Sequence, residues 1–572
     1  MINIASGDTT QQSTVLWGQS DNLGDIIFEY STDPNFQLIT GKITAKITDA
    51  KIPVKVKITQ LKSGTQYYYR VTDSKQVTNK GKLITAADQN SYQGLRFGVS
   101  GDNRGELSPY PSIENIPNRN LSVFILHGDT IYADYPSLAL SKPNAESLEE
   151  FRLKYGEVYG TRFGVNSWEK VRETTSILAT IDDHEVINDF AGGADVKTDP
   201  RFKDKPGTLI NESSLYKNGL QAFQEYHPLE DKFYGVTGDT RTANKRQLYR
   251  FQTYGKDAAI IVLDNRSFRD SALRNIQDPT DKAQVAQFLV ASFNSQRTML
   301  GKVQLKDLKN DLLAAEKAGI TWKFIMVPEP IQNLGVTAAS DRFEGYAAER
   351  TEILKFIKDN NINNVVFVAA DIHGTVVNNL TYQEIPGGQQ IPINAFEITT
   401  GSIAFYEPLG PTAINIAAKM NLLKPQQIET YQSLPIAQKE AFVKQLLNQQ
   451  IIPLGYDPVG LDYNLPIADG LINAKLLSGN YTATHTFGWT EFEIDRVTQK
   501  LTVTTYGINP YSQAEIEKNT PEILNQKPEI VSQFEVTPSN DKVQQNSLIL
   551  GITMIVLFLI ILGVKNIKQI FN

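Results

Sequence analysis

The chain contains no cysteine in 572 residues. That excludes disulfides, thiolate metal sites and cysteine nucleophiles, and it leaves the redox compartment undetermined. Histidine is almost as scarce, at five residues, so a histidine found among acids calls for a reason. A basic excess is missing too. Lys and Arg number 56 against 63 Asp and Glu, a net charge of −7, which supplies no attractive field for a polyanion and removes nucleic acid from the expected partners. Long uncharged apolar runs are absent except for one, "LILGITMIVLFLIILGV" from Leu548 to Val564.

That run predicts a transmembrane helix over 547–565. Lys565 and Lys568 follow it and Lys542 precedes it, a bias that points to a cytoplasmic tail. The expectation is therefore a protein anchored in the membrane by one C-terminal helix, with its large N-terminal part outside the cytoplasm, in the periplasm or at the cell surface. The stretch "MINIASGD" lacks the basic and apolar regions of a signal peptide, so that location would call for a leader outside this sequence.

With 41% hydrophobic and 21% charged residues, the composition is globular, and the length predicts more than one domain. Residues 1–87 read as an all-β unit, an immunoglobulin- or fibronectin-like sandwich: "STVLWG", "DIIFEYS" and "QYYYRVTD" are short β-branched and aromatic runs between turn clusters. Over 95–510 the pattern changes to α/β. "LRFGVS", "SVFILH", "SILATI", "AAIIVL", "WKFIMV" and "NVVFVAA" alternate with helical periodicity, and five of these six runs end within a residue or so of an aspartate. Ligands of open α/β sheets bind outside the carboxyl ends of the strands, so this placement is what an assembled site looks like. About 411–450 reads as a helical insertion well away from those acidic ends, and 512–546 as a polar stalk.

The candidate donors are Asp102; Asp129, Tyr132 and Asp134 in "GDTIYAD"; Asp182, Asp183, His184 and Glu185 in "IDDHE"; and Asp371 and His373 in "ADIHG". Oxygen and imidazole together suit hard or borderline ions, and a bridging carboxylate joins two of them into a clamp for phosphoryl displacement. Adjacent Asp182 and Asp183 repel when ionised unless a cation or donors lie between them. The alternative at this motif has Asp182 and Glu185 capping the next turn or holding the loop.

These blocks, with "ASGDTTQQSTVLWGQ", "VLDNRSFRD", "DRFEGYAAERTEIL" and "VFVAADIHG", resemble in order the PhoD-type alkaline phosphatases, a branch of the calcineurin-like metallophosphoesterases, from about residue 4 to 508. The resemblance implies an αββα metallophosphoesterase sandwich behind the N-terminal β-sandwich, and two or more metal ions, Fe and Ca by the family's habit with Zn or Mn possible. It also implies hydrolysis of phosphomonoesters or phosphodiesters by metal-activated hydroxide. By the same resemblance Asp129 is the bridging carboxylate, Tyr132 a phenolate ligand, and Asp183, Asp371 and His373 metal ligands, while Asp264 and Arg266 support the site. The family's first motif carries a cysteine. Here "VSGDNRG" stands instead, and Asp102 is the substitute ligand. Catalytic roles are expected for Asp183, for His184 as proton donor or phosphate-orienting group, and for Arg104 as the cation facing the phosphoryl oxygens. His485 is a further candidate ligand, and His127 and His227 read as structural. The expected substrate is a small-molecule, lipid or polymer phosphate ester. Two other readings stand beside this one: a membrane-anchored surface binding protein with a degenerate phosphatase domain, and a phosphodiesterase or phospholipase of the same fold.

Overall fold

Short β-branched and aromatic runs form strands because their side chains fit a pleated, half-buried surface. The computed structural model of the chain describes residues 2–202, 207–462 and 465–539. Seven strands come first: β1 Ile2–Gly7, β2 Thr14–Ser20, β3 Gly24–Ser31, β4 Gly41–Ile47, β5 Val54–Ile58, β6 Gln66–Thr72 and β7 Thr78–Ile84. Strands β4, β3, β6 and β7 make an antiparallel sheet in that order, and β1, β2 and β5 belong to a second. Leu16, Phe28, Tyr69 and Val71 fill the space between the two.

The second sheet does not stop there. Strand β1 runs parallel to β10, Ser176–Thr180, with β9, Val123–His127, and β8, Leu95–Asn103, beyond it. A separate seven-stranded sheet is built on β11 Arg250–Tyr254, β12 Ala258–Val262, β13 Trp322–Met326, β14 Val365–Ala369, β15 Thr375–Tyr382 and β16 Ile391–Thr399. Alternate side chains divide the layers. Phe97, Val99 and Ile125 of the second sheet meet Ile260, Phe324 and Val366 of the seven-stranded one in a shared core. Their neighbours point outward: Phe124, Ile177 and Ala179 lie under the helices α1 Leu148–Val158, α2 Ser167–Thr174 and α3 Ser214–Tyr226, while Ile325, Val365 and Phe367 lie under two more, Lys302–Lys317 and Ala347–Asp359. Each such buried apolar side chain contributes about 1.5–3 kcal/mol. Helix α1 starts on a reciprocal Ser147–Glu150 capping box, and the helix over Lys302–Lys317 buries Leu305, Leu308, Leu312 and Ala315 along one stripe.

Three expectations are corrected. No helix among the described residues is long and apolar enough to cross a membrane, and the segment read as a transmembrane helix, 547–565, lies outside the described residues. The C-terminal membrane anchor and the location deduced from it are accordingly withdrawn. Secondly, the polar tail is not simply a stalk. Two short helices, Gln513–Lys518 and Thr520–Leu524, lead into a strand over Glu529–Thr537 that joins the large sheet beside Leu501–Ile508. Alternating Ser532, Phe534 and Val536 are buried there; prolines at 521 and 528 hid that period-two signal. Thirdly, the helical insertion, Leu409–Lys419, Pro425–Ser433 and Ile436–Ile451, does not stand apart from the acidic strand ends. Its first helix begins against them, Leu409 N donating to the His373 carbonyl at 3.0 Å.

Candidate metal centre

Parallel strands in register bring their carboxyl ends to one edge. In the large sheet Ser100 pairs with Leu126 and Leu126 with Ala179, and in the seven-stranded sheet Val262 pairs with Met326 and Met326 with Val368. The two edges are stitched together: Thr180 Oγ1 donates to the Leu263 carbonyl at 2.7 Å, and His127 Nε2 lies 2.9 Å from the Val368 carbonyl. Just past these ends the backbone turns sharply. Asp102, Asp129, Asp371 and His373 all take positive φ, at 59°, 49°, 63° and 57°, a region that costs non-glycine residues energy and is concentrated at functional sites. Gly128, at φ 86°, is required on two counts. A Cβ there would strain the backbone and stand 2.6 Å from Asp182 Cβ.

The turns aim two sets of donors at the space between them. Asp102, Asp129 and His373 form one, Asp129, Asp183 and His184 the other, each with ligand atoms within 4.8 Å of one another. Asp129 belongs to both. Tyr132 joins the first set, its hydroxyl 3.3 Å from Asp102 Oδ1 and 3.2 Å from His373 Nε2, and Phe405 stacks on the His373 ring at 3.6 Å. In the second set His184 is held by Asp134, whose Oδ1 lies 2.7 Å from Nδ1, leaving Nε2 3.8 Å from Asp183 Oδ1 and 3.9 Å from Asp129 Oδ2. Arg104 lies over the Tyr135 ring at 4.6 Å and the Tyr132 ring at 5.9 Å and pairs with Glu106.

So many acids in one dry place disturb each other. Burial, followed by Asp183, Asp182 and Asp102, pushes Asp129 well above the usual carboxylate range. Desolvation and the charges of Asp182 and Asp183 do the same to half-buried Asp371. Burial opposes the imidazolium of His184, but Asp183 and Asp134 outweigh it and hold the pKa at about 9. Asp102 Oδ2 and both side-chain polar atoms of Asn103 are buried with no hydrogen-bond partner among the described residues. Buried acceptors are rarely left so, and a cation would satisfy the carboxylate.

The Asp182–Asp183 repulsion has a different answer from the one expected. Arg266, fully buried, donates to Asp182 through Nε and Nη2 at 2.7 and 3.0 Å, contacts Asp341 at 2.8 Å, pairs with Glu329 and lies 3.5 Å from Asp183. Asp264 Oδ1 accepts from the backbone of Arg266 and Ser267, fixing that turn. Glu185 holds the loop, its carboxylate taking Thr130 N, Thr130 Oγ1 and Asp182 N. Asp371 groups with Asp182 and Glu329 rather than with the two sets above, and Asp183 also with Asp189 and Asp341. Asp189 and Asp341 went unrecognised. Asp341 opens a stretch quoted for its resemblance and Asp189 lies just past "IDDHE"; neither has a local pattern of its own, and only the pairing of distant loops assembles them.

The other histidines are structural. His485 spends Nδ1 on Glu440 at 2.8 Å and Nε2 on Tyr431 at 2.7 Å, clamping the helical insertion instead of ligating. His227 bonds the Phe223 carbonyl and Tyr159, both at 2.7 Å. Burial depresses His227 to about 3 and His127 to about 4. The unfolded chain binds these protons below about pH 6.5 and the folded one does not. Their contribution to stability is therefore complete above that pH and falls by about 1.4 kcal/mol per unit for each ring as pH drops toward 4. Urea unfolding between pH 7 and 4.5 should show the loss, with a shallower slope in His227→Phe.

The family model described as PhoD-like phosphatase matches residues 97–435, and that of the PhoD-like phosphatase N-terminal domain matches residues 1–87. Alkaline phosphatase D of Bacillus subtilis (strain 168) is 27% identical over 417 residues, covering 66% of this chain and 65% of that protein. This chain thus matches just under two thirds of the length of that relative. A solved structure of PhoD superposes with a TM-score of 0.66 at 19% identity, over 94% of this chain and 91% of the other, which is a likeness of fold. With its family model matched over more than half its length, the chain belongs to the PhoD-like phosphatase family.

Proposed function

We propose that the chain hydrolyses phosphate esters with two or more metal ions held between the strand ends. The observation that carries this reading is Asp129, a buried carboxylate common to two donor sets. Asp102, Tyr132 and His373 would hold one ion and Asp183 and His184 would face the other, with Asp129 between them. Oxygen and imidazole donors fit Fe, Ca, Mn or Zn. Bound there, such ions act as Lewis acids that lower the pKa of water and neutralise charge on phosphoryl oxygens.

The chain's own groups divide the rest. Arg104, the cation above Tyr132 and Tyr135, orients the phosphoryl group and offsets charge on its equatorial oxygens. His184, fixed through Nδ1 by Asp134, has Nε2 3.8 Å from Asp183 and 3.9 Å from Asp129, where it would orient the phosphoryl group or pass a proton to the departing alkoxide. Asp183 is kept ionised: burial works against it, and Arg266 and His184 prevail. The intact donor sets favour an enzyme over a surface protein with a degenerate site.

Elemental analysis of the purified chain beside assays with p-nitrophenyl phosphate and bis-p-nitrophenyl phosphate tests the proposal. Stoichiometric metal is expected, along with turnover that a chelator removes and metal restores. A metal-free protein that hydrolyses either ester equally well would overturn it. The ratio of the two rates separates monoesterase from diesterase.

A further inference from the structure

Arginine is almost never buried without a carboxylate beside it, because its charge then has neither water nor an anion to offset it. Arg350, 4% exposed on the helix Ala347–Asp359, is such a residue. Its contacts are to neutral groups: Nε donates to the Ile331 carbonyl at 2.6 Å and Nη2 to the Thr381 carbonyl at 2.9 Å, and the Tyr456 ring lies 5.7 Å away. Nη1 has no partner among the described residues. Glu397, the acid that feels its field, is engaged by the backbone N–H groups of Ile331 and Gln332 at 2.7 and 3.2 Å. Burial lifts that carboxyl to about 7 against these donors and Arg350, so it is not a full counter-charge at neutral pH.

The guanidinium lines a cavity of about 340 Å³, set between its own helix, the helix Lys282–Ser292, the turn at Gly387 and Gly388, and the segment 453–456. Phe288, Leu289, Phe293, Val336 and Leu454 give the cavity an apolar side. Across from them, Asn333 accepts from Gly335 N through Oδ1, while its Nδ2 and the Tyr456 hydroxyl have no partner among the described residues. Glu344 is the one carboxylate of the lining, and Leu334 N and Arg342 already occupy it. Sites for small organic molecules measure roughly 300–1,000 Å³ and combine apolar walls with a few polar groups. An apolar void of about 150 Å³ holds one benzene, so this cavity has room for a six-carbon body and its head group.

We infer that this cavity binds a small organic carboxylate, its head group on Arg350 and its hydrocarbon body against Phe288, Leu289 and Val336. One uncompensated cation matches a single negative charge, and Glu344 in the same wall works against the second charge of a phosphate monoester. The donors left over on Arg350, Asn333 and Tyr456 are what carboxylate oxygens require. The cavity shares no residue with the candidate metal centre, and the inference does not depend on the hydrolytic reading.

Calorimetry on the full chain as purified tests it, with acetate, butyrate, hexanoate and 1-hexanol, each titrated with and without saturating inorganic phosphate to occupy the candidate metal centre. Hexanoate should bind in both conditions, its affinity exceeding that of the shorter acids by roughly three- to fourfold per methylene. Hexanol, which lacks the charge, should bind roughly tenfold more weakly or worse, and Arg350→Gln should cost hexanoate a similar factor. Leu289→Trp, which fills the apolar side from the neighbouring helix, should abolish the dependence on chain length. The inference is overturned if hexanoate does not bind, if it binds no better than hexanol, or if Leu289→Trp binds it as wild type does. Binding seen only without phosphate would also overturn it, since the carboxylate would then sit at the metal centre. Should Arg350→Gln fail to fold, the hexanol comparison and Leu289→Trp decide.

Discussion

Asp129→Asn is expected to lower kcat/KM for p-nitrophenyl phosphate by roughly a thousandfold or more and to reduce the metal content of the purified chain. Loss of a hydrogen-bond partner one layer behind a metal ligand commonly costs 10- to 100-fold. Asp129 is a candidate ligand itself, and it is shared by both donor sets, so its loss weakens two sites at once. An asparagine keeps the shape and one carbonyl acceptor but removes the negative charge that offsets two cations. It also relieves crowding: Asp183, Asp182 and Asp102 already push Asp129 up, after burial itself. The variant should therefore fold, and with metal withheld it should unfold at a temperature no lower than wild type. Full activity with unchanged metal content would show that the two donor sets do not meet at this carboxylate.

The strands were legible for a physical reason. Parallel strands covered on both faces need apolar side chains throughout, so Val123–His127, Ser176–Thr180, Ala258–Val262 and Val365–Ala369 stand out as uninterrupted runs, and all are buried. Aspartates at their ends mark the edge where the two sheets meet. Interpretation at "IDDHE" was harder. Two adjacent acids imply a compensating cation, and a metal was the local guess; the cation beside Asp182 is the guanidinium of Arg266, 84 residues away. A charge deficit is written locally, but its remedy is placed by the fold. The same limit applies to the insertion. Helical periodicity over about 411–450 shows that helices form, not that the first of them abuts the turn holding His373. Pro521 and Pro528 likewise disguised a tail that supplies a strand to the large sheet.

Arg266→Met should lower the stability of the apo chain by about 3–5 kcal/mol, the usual cost of stripping one partner from a buried ion pair. The mutation would strip Asp182 of its guanidinium and leave Glu329 and Asp341 to Arg269, which lies 3.4 Å from Glu329 and 2.9 Å from Asp341. The pH dependence distinguishes this electrostatic loss from a mere packing defect. In the wild type Asp341 lies below the usual carboxylate range: burial opposes its charge, and Arg266 and Arg269 overcome it. Such a group adds stability above the unfolded carboxyl pKa of about 3.9, lost only as pH falls below that value. Asp182 and Glu329 already lie above the usual carboxylate range in the wild type, pushed up by burial and drawn back by Arg266; in the variant they rise further, and Asp341 loses the larger of its two compensating charges. The folded variant then takes up protons that the unfolded chain does not, and it gains stability as pH falls from 7 to 5. The gap between variant and wild type should therefore narrow over that interval in urea unfolding of both proteins. Arg266→Lys, which restores a charge without the two-pronged contact to Asp182, should fall between them. Equal midpoints for Arg266→Met and wild type at pH 7 would mean that the network adds no net stability, and a gap that widens toward pH 5 would contradict its electrostatic origin.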